Sequence, residues 1–139
     1  MRLALAASLI LPIVTPVQAD DTLWAALKQG GKVVLMRHAA AERSSGNPTL
    51  HTPGDCSKEL NLSELGRAQA KRIGETFRAR GIFTGDVLAS PYCRTMETGR
   101  LAFGNVKSSE ALRLIEGIGA QEVERINAQA MKLIGGYKG

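Results

Sequence analysis

Aromatic side chains make up only 4% of this 139-residue chain, and it holds two cysteines, two histidines and one tryptophan. Each scarcity closes a class of function. Sequence-tolerant binding of single-stranded nucleic acid uses aromatic platforms interleaved with a basic groove. Six aromatics and scattered lysines and arginines do not build one, so no nucleic-acid partner is expected despite a formal net charge of +5. Two cysteines are too few for a disulfide scaffold. Together with His38 and His51, Cys56 and Cys93 show no paired-ligand spacing of the kind a tetrahedral zinc site uses, so neither a metal nor another cofactor is expected. The cysteines themselves are open to two readings, a Cys56–Cys93 disulfide or two free, half-buried thiols.

No apolar run reaches the ~20 residues needed to span a bilayer. The first nineteen residues instead have the make-up of an export signal. Met1-Arg2 gives a basic start, Leu3 to Val14 an apolar stretch interrupted by Pro12, and Val17-Gln18-Ala19 a small-residue cleavage pattern. Cleavage after Ala19 leaves 120 residues, which suits one domain over 20–139, with a periplasmic or secreted location and no membrane association once the signal is removed. Export also places the cysteines where a disulfide is permitted.

The remaining chain alternates helix and strand signals. Asp20-Asp21-Thr22 caps a short helix over 23–29 with Leu23, Trp24 and Leu27 on one face, stopped by Gly30-Gly31. A strand over 32–37 follows. Residues 39–60, with Ser44 to Pro48, His51 and Pro53-Gly54-Asp55, lose all periodicity and read as a long loop. Ser63 is the expected N-cap of the strongest helix, in which Leu65, Gln69, Ile73 and Phe77 recur every four residues up to Arg80-Gly81. Arg67, Lys71, Glu75 and Arg78 fall on its solvated face. A second strand over 86–90 leads into a helix near 95–102, ended by Gly104. A third strand lies around Val106 or over 111–114, and a last helix over 121–134 carries Val123, Ile126, Ala130 and Leu133. Such alternation predicts a layered α/β domain.

Two of these strands end in chemistry. Val33-Val34-Leu35-Met36 runs into Arg37-His38, and Asp86 to Ser90 delivers Pro91-Tyr92-Cys93-Arg94-Thr95. Strand tips at one sheet edge are where open α/β sheets bind and react. Two guanidiniums around one imidazole suit a phosphoryl group, because each planar fork holds two oxygens while the ring nitrogen attacks phosphorus. An unpaired cation beside an apolar run is costly, and an anionic ligand removes that cost. The plainer readings are a histidine hydrogen-bonded at a strand end, an Arg37 that is a surface charge, and an Arg94 that caps carbonyls or pairs with Glu97 on its own helix.

Three blocks carry a family likeness: Val34-Leu35-Met36-Arg37-His38-Ala39, Asn61-Leu62-Ser63-Glu64-Leu65-Gly66-Arg67-Ala68-Gln69-Ala70, and Leu88-Ala89-Ser90-Pro91-Tyr92-Cys93-Arg94-Thr95-Met96-Glu97-Thr98. Over roughly 32–116 the chain resembles the histidine phosphatase superfamily, also called phosphoglycerate mutase-like. That resemblance implies a three-layer α/β/α fold, a metal-independent phosphatase acting on a small phosphomonoester, His38 as the nucleophile that becomes phosphorylated, and Arg37 and Arg94 as the phosphate clamp. It implies Glu116 as general acid, with Asp55 as a competitor for that role.

The pattern also departs from the family. Ala39 stands where the family has glycine, and the acidic residue that follows closely is displaced to Glu42. A second catalytic histidine, late in the family's chains at the end of an interior strand, has no counterpart before Gly139, and His51 lies too early to replace it. The expectation is therefore a C-terminally incomplete form of a longer phosphatase. Losing one preorganised phosphate donor costs ~10²- to 10³-fold in rate. Without the interior strand, residues 33–38 and 86–90 must pair directly or leave backbone groups unsatisfied. The rival readings are a non-catalytic phosphate-binding relative and a product that does not fold stably. Substrate identity and oligomeric state are not encoded in any motif.

Overall fold

The computed structural model describes residues 21–42, 53–113 and 117–137. The segment expected to be an export signal, residues 43–52 of the expected 39–60 loop including His51, and Glu116 lie outside the described residues. Four helices and one two-stranded parallel sheet follow in the order α1 (Asp21–Lys28), α2 (Glu64–Ala79), β1 (Leu88–Ala89), α3 (Cys93–Phe103), β2 (Lys107–Ser108), a 3-10 turn (Glu110–Leu112) and α4 (Ala120–Gly136). This is an α/β arrangement whose sheet is small.

β1, α3 and β2 form a parallel unit joined through a helix, as parallel strands require. Leu88 faces Lys107 and Ala89 faces Ser108 in the ladder. The third strand therefore lies beside Val106, while in the stretch 111–114 Ala111 and Leu112 belong to a 3-10 turn and Leu114 lies outside the described residues. α4 closes against that turn with Ile126 buried, and the Tyr137 hydroxyl accepts the Asp86 N–H at 2.9 Å, tying the end of α4 to the approach of β1.

α2 begins where its cap predicts: Ser63 Oγ accepts the Gly66 N–H at 3.1 Å. The inner face of the helix differs from expectation. Leu65 is 60% exposed, and the buried positions are Gly66, Ala70 and Gly74, with Ile73 and Phe77 half-buried beside them. The physical reason is close backbone approach. A Cβ at Gly66 would collide with the Ala40 carbonyl, and one at Gly74 with the Ala102 carbonyl at the end of α3. With nothing larger than a methyl on this face, α2 lies directly on its neighbours. Around it, Ala39, Leu62 and Ala70 form a core cluster against which Leu101 packs.

α1 docks through Trp24, whose ring meets Phe77 edge-on at 5.9 Å and lies under the Arg80 guanidinium at 4.4 Å. Leu23, expected on the same face, is 63% exposed.

The strand expected over 32–37 is not formed. Residues 31–40 carry no regular secondary structure, and Val33, Val34, Leu35 and Met36 are 44%, 48%, 70% and 43% exposed. Among the described residues no backbone group bonds to 33–37. A strand exists only through a ladder, and β1 takes its ladder from β2. Pairing resumes after His38, where Ala41 bridges Leu62 in antiparallel fashion and the Ser63 and Glu42 N–H groups donate to Ala40 and Asn61.

Candidate active site

The backbone that follows His38 is tied to the helix that carries Arg94. Arg94 occupies the first turn of α3. Its carbonyl accepts the Thr98 hydroxyl at 2.7 Å, and Thr98 Oγ1 in turn accepts the Ala39 N–H at 3.2 Å. The residue after His38 is thereby fixed against α3 one turn beyond Arg94. Gln69 of α2 secures the next residue, its Oε1 accepting the Ala40 N–H at 3.0 Å. The sequence pattern assigns a site role to neither Thr98 nor Gln69, although Thr98 stands four residues after Arg94, the spacing that puts both on one helix face.

The imidazole is oriented by its own neighbour. His38 Nδ1 lies 2.8 Å from the Ala39 carbonyl, which only accepts, so Nδ1 carries the proton. In the neutral ring this leaves the lone pair on Nε2. The imidazole is half-buried, and with its Nδ1–H held by the main chain the basic nitrogen is Nε2.

Arg94 is 7% exposed, and its guanidinium sits over the Tyr92 ring at 4.8 Å. Among the described residues it meets no carboxylate. The plainer reading of Arg94 as an ion pair with Glu97 does not hold, because Glu97 accepts from Arg67 Nε at 2.8 Å while Arg67 also reaches Glu64 at 2.9 Å. Arg67 is accordingly not on a purely solvated face, whereas Lys71, Glu75 and Arg78 are exposed as expected, Arg78 also donating to the Ala102 carbonyl at 3.2 Å. A cation–π contact offsets only a fraction of what a buried guanidinium loses on leaving water. Just after β1, the Ser90 hydroxyl is buried and has no hydrogen-bond partner among the described residues.

Arg37 is exposed, in keeping with its plainer reading as a surface charge and against the reading that it borders a core, because the run before it is itself exposed. Asp55, the competing acid, is held by the Lys58 ammonium at 2.8 Å and by the Ser57 hydroxyl at 2.6 Å, which pull its carboxyl down to about 2. A group ionised through the whole neutral range has no proton to give a leaving alcohol, so Asp55 is unsuited to general acid work. Glu42 is exposed, and the structure gives its side chain no part in this site.

The two cysteines form a disulfide, Cys56–Cys93, which joins the 53–60 segment to the first residue of α3. Next to it lies a residue that the sequence does not single out. Glu59 is 9% exposed, and its two oxygens accept the Gly54 and Cys93 N–H groups, each at 2.7 Å. Nothing in an aperiodic loop marks one glutamate among its neighbours, so no local signal points to it.

The model of the histidine phosphatase superfamily, branch 1, matches residues 33–130. The chain belongs to this superfamily. Within that match fall His38, Arg37, Arg94 and Thr98. Two phosphoglycerate mutases dependent on 2,3-bisphosphoglycerate, from Corynebacterium diphtheriae and Corynebacterium glutamicum, are each 33% identical to this histidine phosphatase superfamily member over 72 residues. Those residues are 52% of this chain and 27% of each mutase, so the chain spans about a quarter of the length of the curated relatives it matches.

Proposed function

We propose that this protein is an exported phosphomonoester hydrolase working through a phosphohistidine on His38. The observation that supports it most is a buried Arg94 without a carboxylate, on the helix turn that Thr98 ties to residue 39. In this reading the substrate phosphate settles against Arg94, with Arg37 turning in from the exposed segment before His38 to complete the clamp. His38 Nε2 attacks phosphorus in line, the bond from phosphorus to the leaving oxygen breaks, and Glu116 protonates that oxygen. Water then attacks phosphorus, the P–N bond breaks and inorganic phosphate departs. The finer architecture belonging to this reading is a three-layer α/β/α sandwich.

The mutase activity named for the relatives shares the first half of this chemistry and differs in the acceptor, a second alcohol in place of water. Export favours hydrolysis, since it separates the protein from a cytoplasmic pool of sugar phosphates.

Incubation with an aryl phosphate and acid-labile phosphate analysis tests the proposal. The expected result is phosphate on His38, turnover abolished in His38→Ala and lowered ~10²- to 10³-fold in Arg94→Ala. Phosphate binding with no phosphoenzyme and no turnover would instead mark a non-catalytic phosphate-binding protein.

A further inference from the structure

The first turn of α3 is held from outside the helix. A helix leaves its first N–H groups without intrahelical partners, and a side chain of the N-cap residue usually takes one of them. Tyr92, the N-cap here, supplies no such acceptor. Glu59 does so from the loop, with Oε2 on the Cys93 N–H and Oε1 on the Gly54 N–H. Its negative charge also complements the positive end of the helix dipole. The disulfide from Cys56 ends on the same residue, Cys93.

The segment making these contacts is stiff in its own right. Asp55 Oδ1 accepts both the hydroxyl and the N–H of Ser57, the Lys58 N–H donates to the Asp55 carbonyl, and Asn61 donates to the Cys56 carbonyl at 2.7 Å. A rigid loop thus grips α3 by one covalent bond and one charged bridge, and the next residue along the helix is Arg94.

We propose that Glu59 is a positioning residue which, with the Cys56–Cys93 disulfide, fixes Arg94, so that anion affinity at Arg94 depends on the thiol state of the pair. This rests on the reading of Arg94 as an anion-binding group. The two braces support each other. By holding Gly54 and Cys93 in one place, the Glu59 carboxylate keeps the two sulfurs at high effective concentration when they are reduced, and so favours their rejoining.

Cys56 is exposed and Cys93 half-buried, which directs a dithiol reductant to Cys56. One thiolate of the reductant bonds to Cys56 Sγ, the Cys56–Cys93 bond breaks, and Cys93 leaves as a thiolate that takes up a proton. The second thiolate of the reductant then attacks its own mixed-disulfide sulfur, releasing Cys56. Two electrons and two protons pass to the protein, and the dithiol ends as a disulfide.

The test uses the full chain. Wild type and Glu59→Gln are equilibrated in dithiothreitol redox buffers and read by thiol alkylation, and inorganic phosphate is titrated into oxidised and reduced protein by calorimetry. The amide introduced by Glu59→Gln presents an N–H₂ group to one of the two N–H donors, losing a charge-assisted hydrogen bond. The expected shift is about 10- to 100-fold toward the dithiol, or about 30–60 mV. Reduction of the wild type is expected to weaken phosphate binding by about 5-fold or more. By linkage, phosphate should then shift the redox equilibrium toward the disulfide by the same factor.

Equal phosphate affinity in both redox forms overturns the proposal and leaves the anion site standing. Absence of phosphate binding in either form sinks the anion site itself and the coupling with it. An unchanged redox equilibrium in Glu59→Gln removes Glu59 from the brace. Loss of helical circular dichroism on reduction also overturns the proposal, because the disulfide would then hold the fold and not Arg94.

Discussion

Replacing Thr98 by valine isolates the contact that brings the two ends of the site together. Thr98 is 3% exposed, and valine matches its shape while exchanging the hydroxyl for a methyl. The Arg94 carbonyl loses one donor but keeps its place in the α3 hydrogen-bond ladder, so its loss is small. The Ala39 N–H has no second acceptor among the described residues and becomes a buried donor facing a methyl group. That costs about 1–3 kcal/mol. With a urea dependence of about 1–3 kcal/mol per molar for a small protein, the midpoint should fall by about 1 M.

Thr98→Ser serves as the control. It gives up a methyl, worth about 0.8 kcal/mol, but keeps the hydroxyl. The two variants should therefore differ most in amide exchange at Ala39, which is protected in wild type and in Thr98→Ser and about 10-fold or more faster in Thr98→Val. If Thr98→Val unfolds within about 0.5 kcal/mol of wild type with Ala39 protection unchanged, the link between α3 and the His38 backbone carries no weight and the site must be rebuilt.

Gly74→Ala should destabilise by about 1–3 kcal/mol in the same urea titration, since the added Cβ meets the Ala102 carbonyl, a main-chain group that cannot swing away. Carbon-13 NMR of Asp55 should follow a carboxyl that titrates near pH 2, and Lys58→Ala should return it toward 3.8. Because that folded-state value is depressed, its stabilising effect on the loop is complete above the ordinary carboxylate range and disappears as pH falls from about 4 toward 2. Leu35→Lys should change stability by less than about 0.5 kcal/mol, as befits a side chain 70% exposed; a loss above about 3 kcal/mol would show Leu35 to be buried in the folded protein.

The helices are legible in the sequence because their signals are local. Ser63 announces α2, Gly104 ends α3, and the apolar spacing of Val123, Ile126, Ala130 and Leu133 marks α4. The inward face of α2 lies one residue away from its apolar stripe, for a reason that periodicity of large apolar side chains cannot register. Two backbones pack most closely where side chains are missing, and Gly66, Ala70 and Gly74 give no hydrophobic signal. The run 33–36 misleads in the opposite sense, since its composition records what burial it would gain but not whether another strand lies beside it.

The same distinction governs the site. His38, Arg37 and Arg94 stand out in sequence as residue types, yet whether Arg94 is free to bind an anion depends on where Glu97 is committed. That commitment is made by Arg67, thirty residues away on another helix. The ion pair between them is partly open to solvent and adds little to stability. Its structural consequence is larger than its energy, because it occupies the one carboxylate on α3 and leaves the buried Arg94 guanidinium over the face of Tyr92. A modest surface pair thus decides the chemical character of the residue one turn before it.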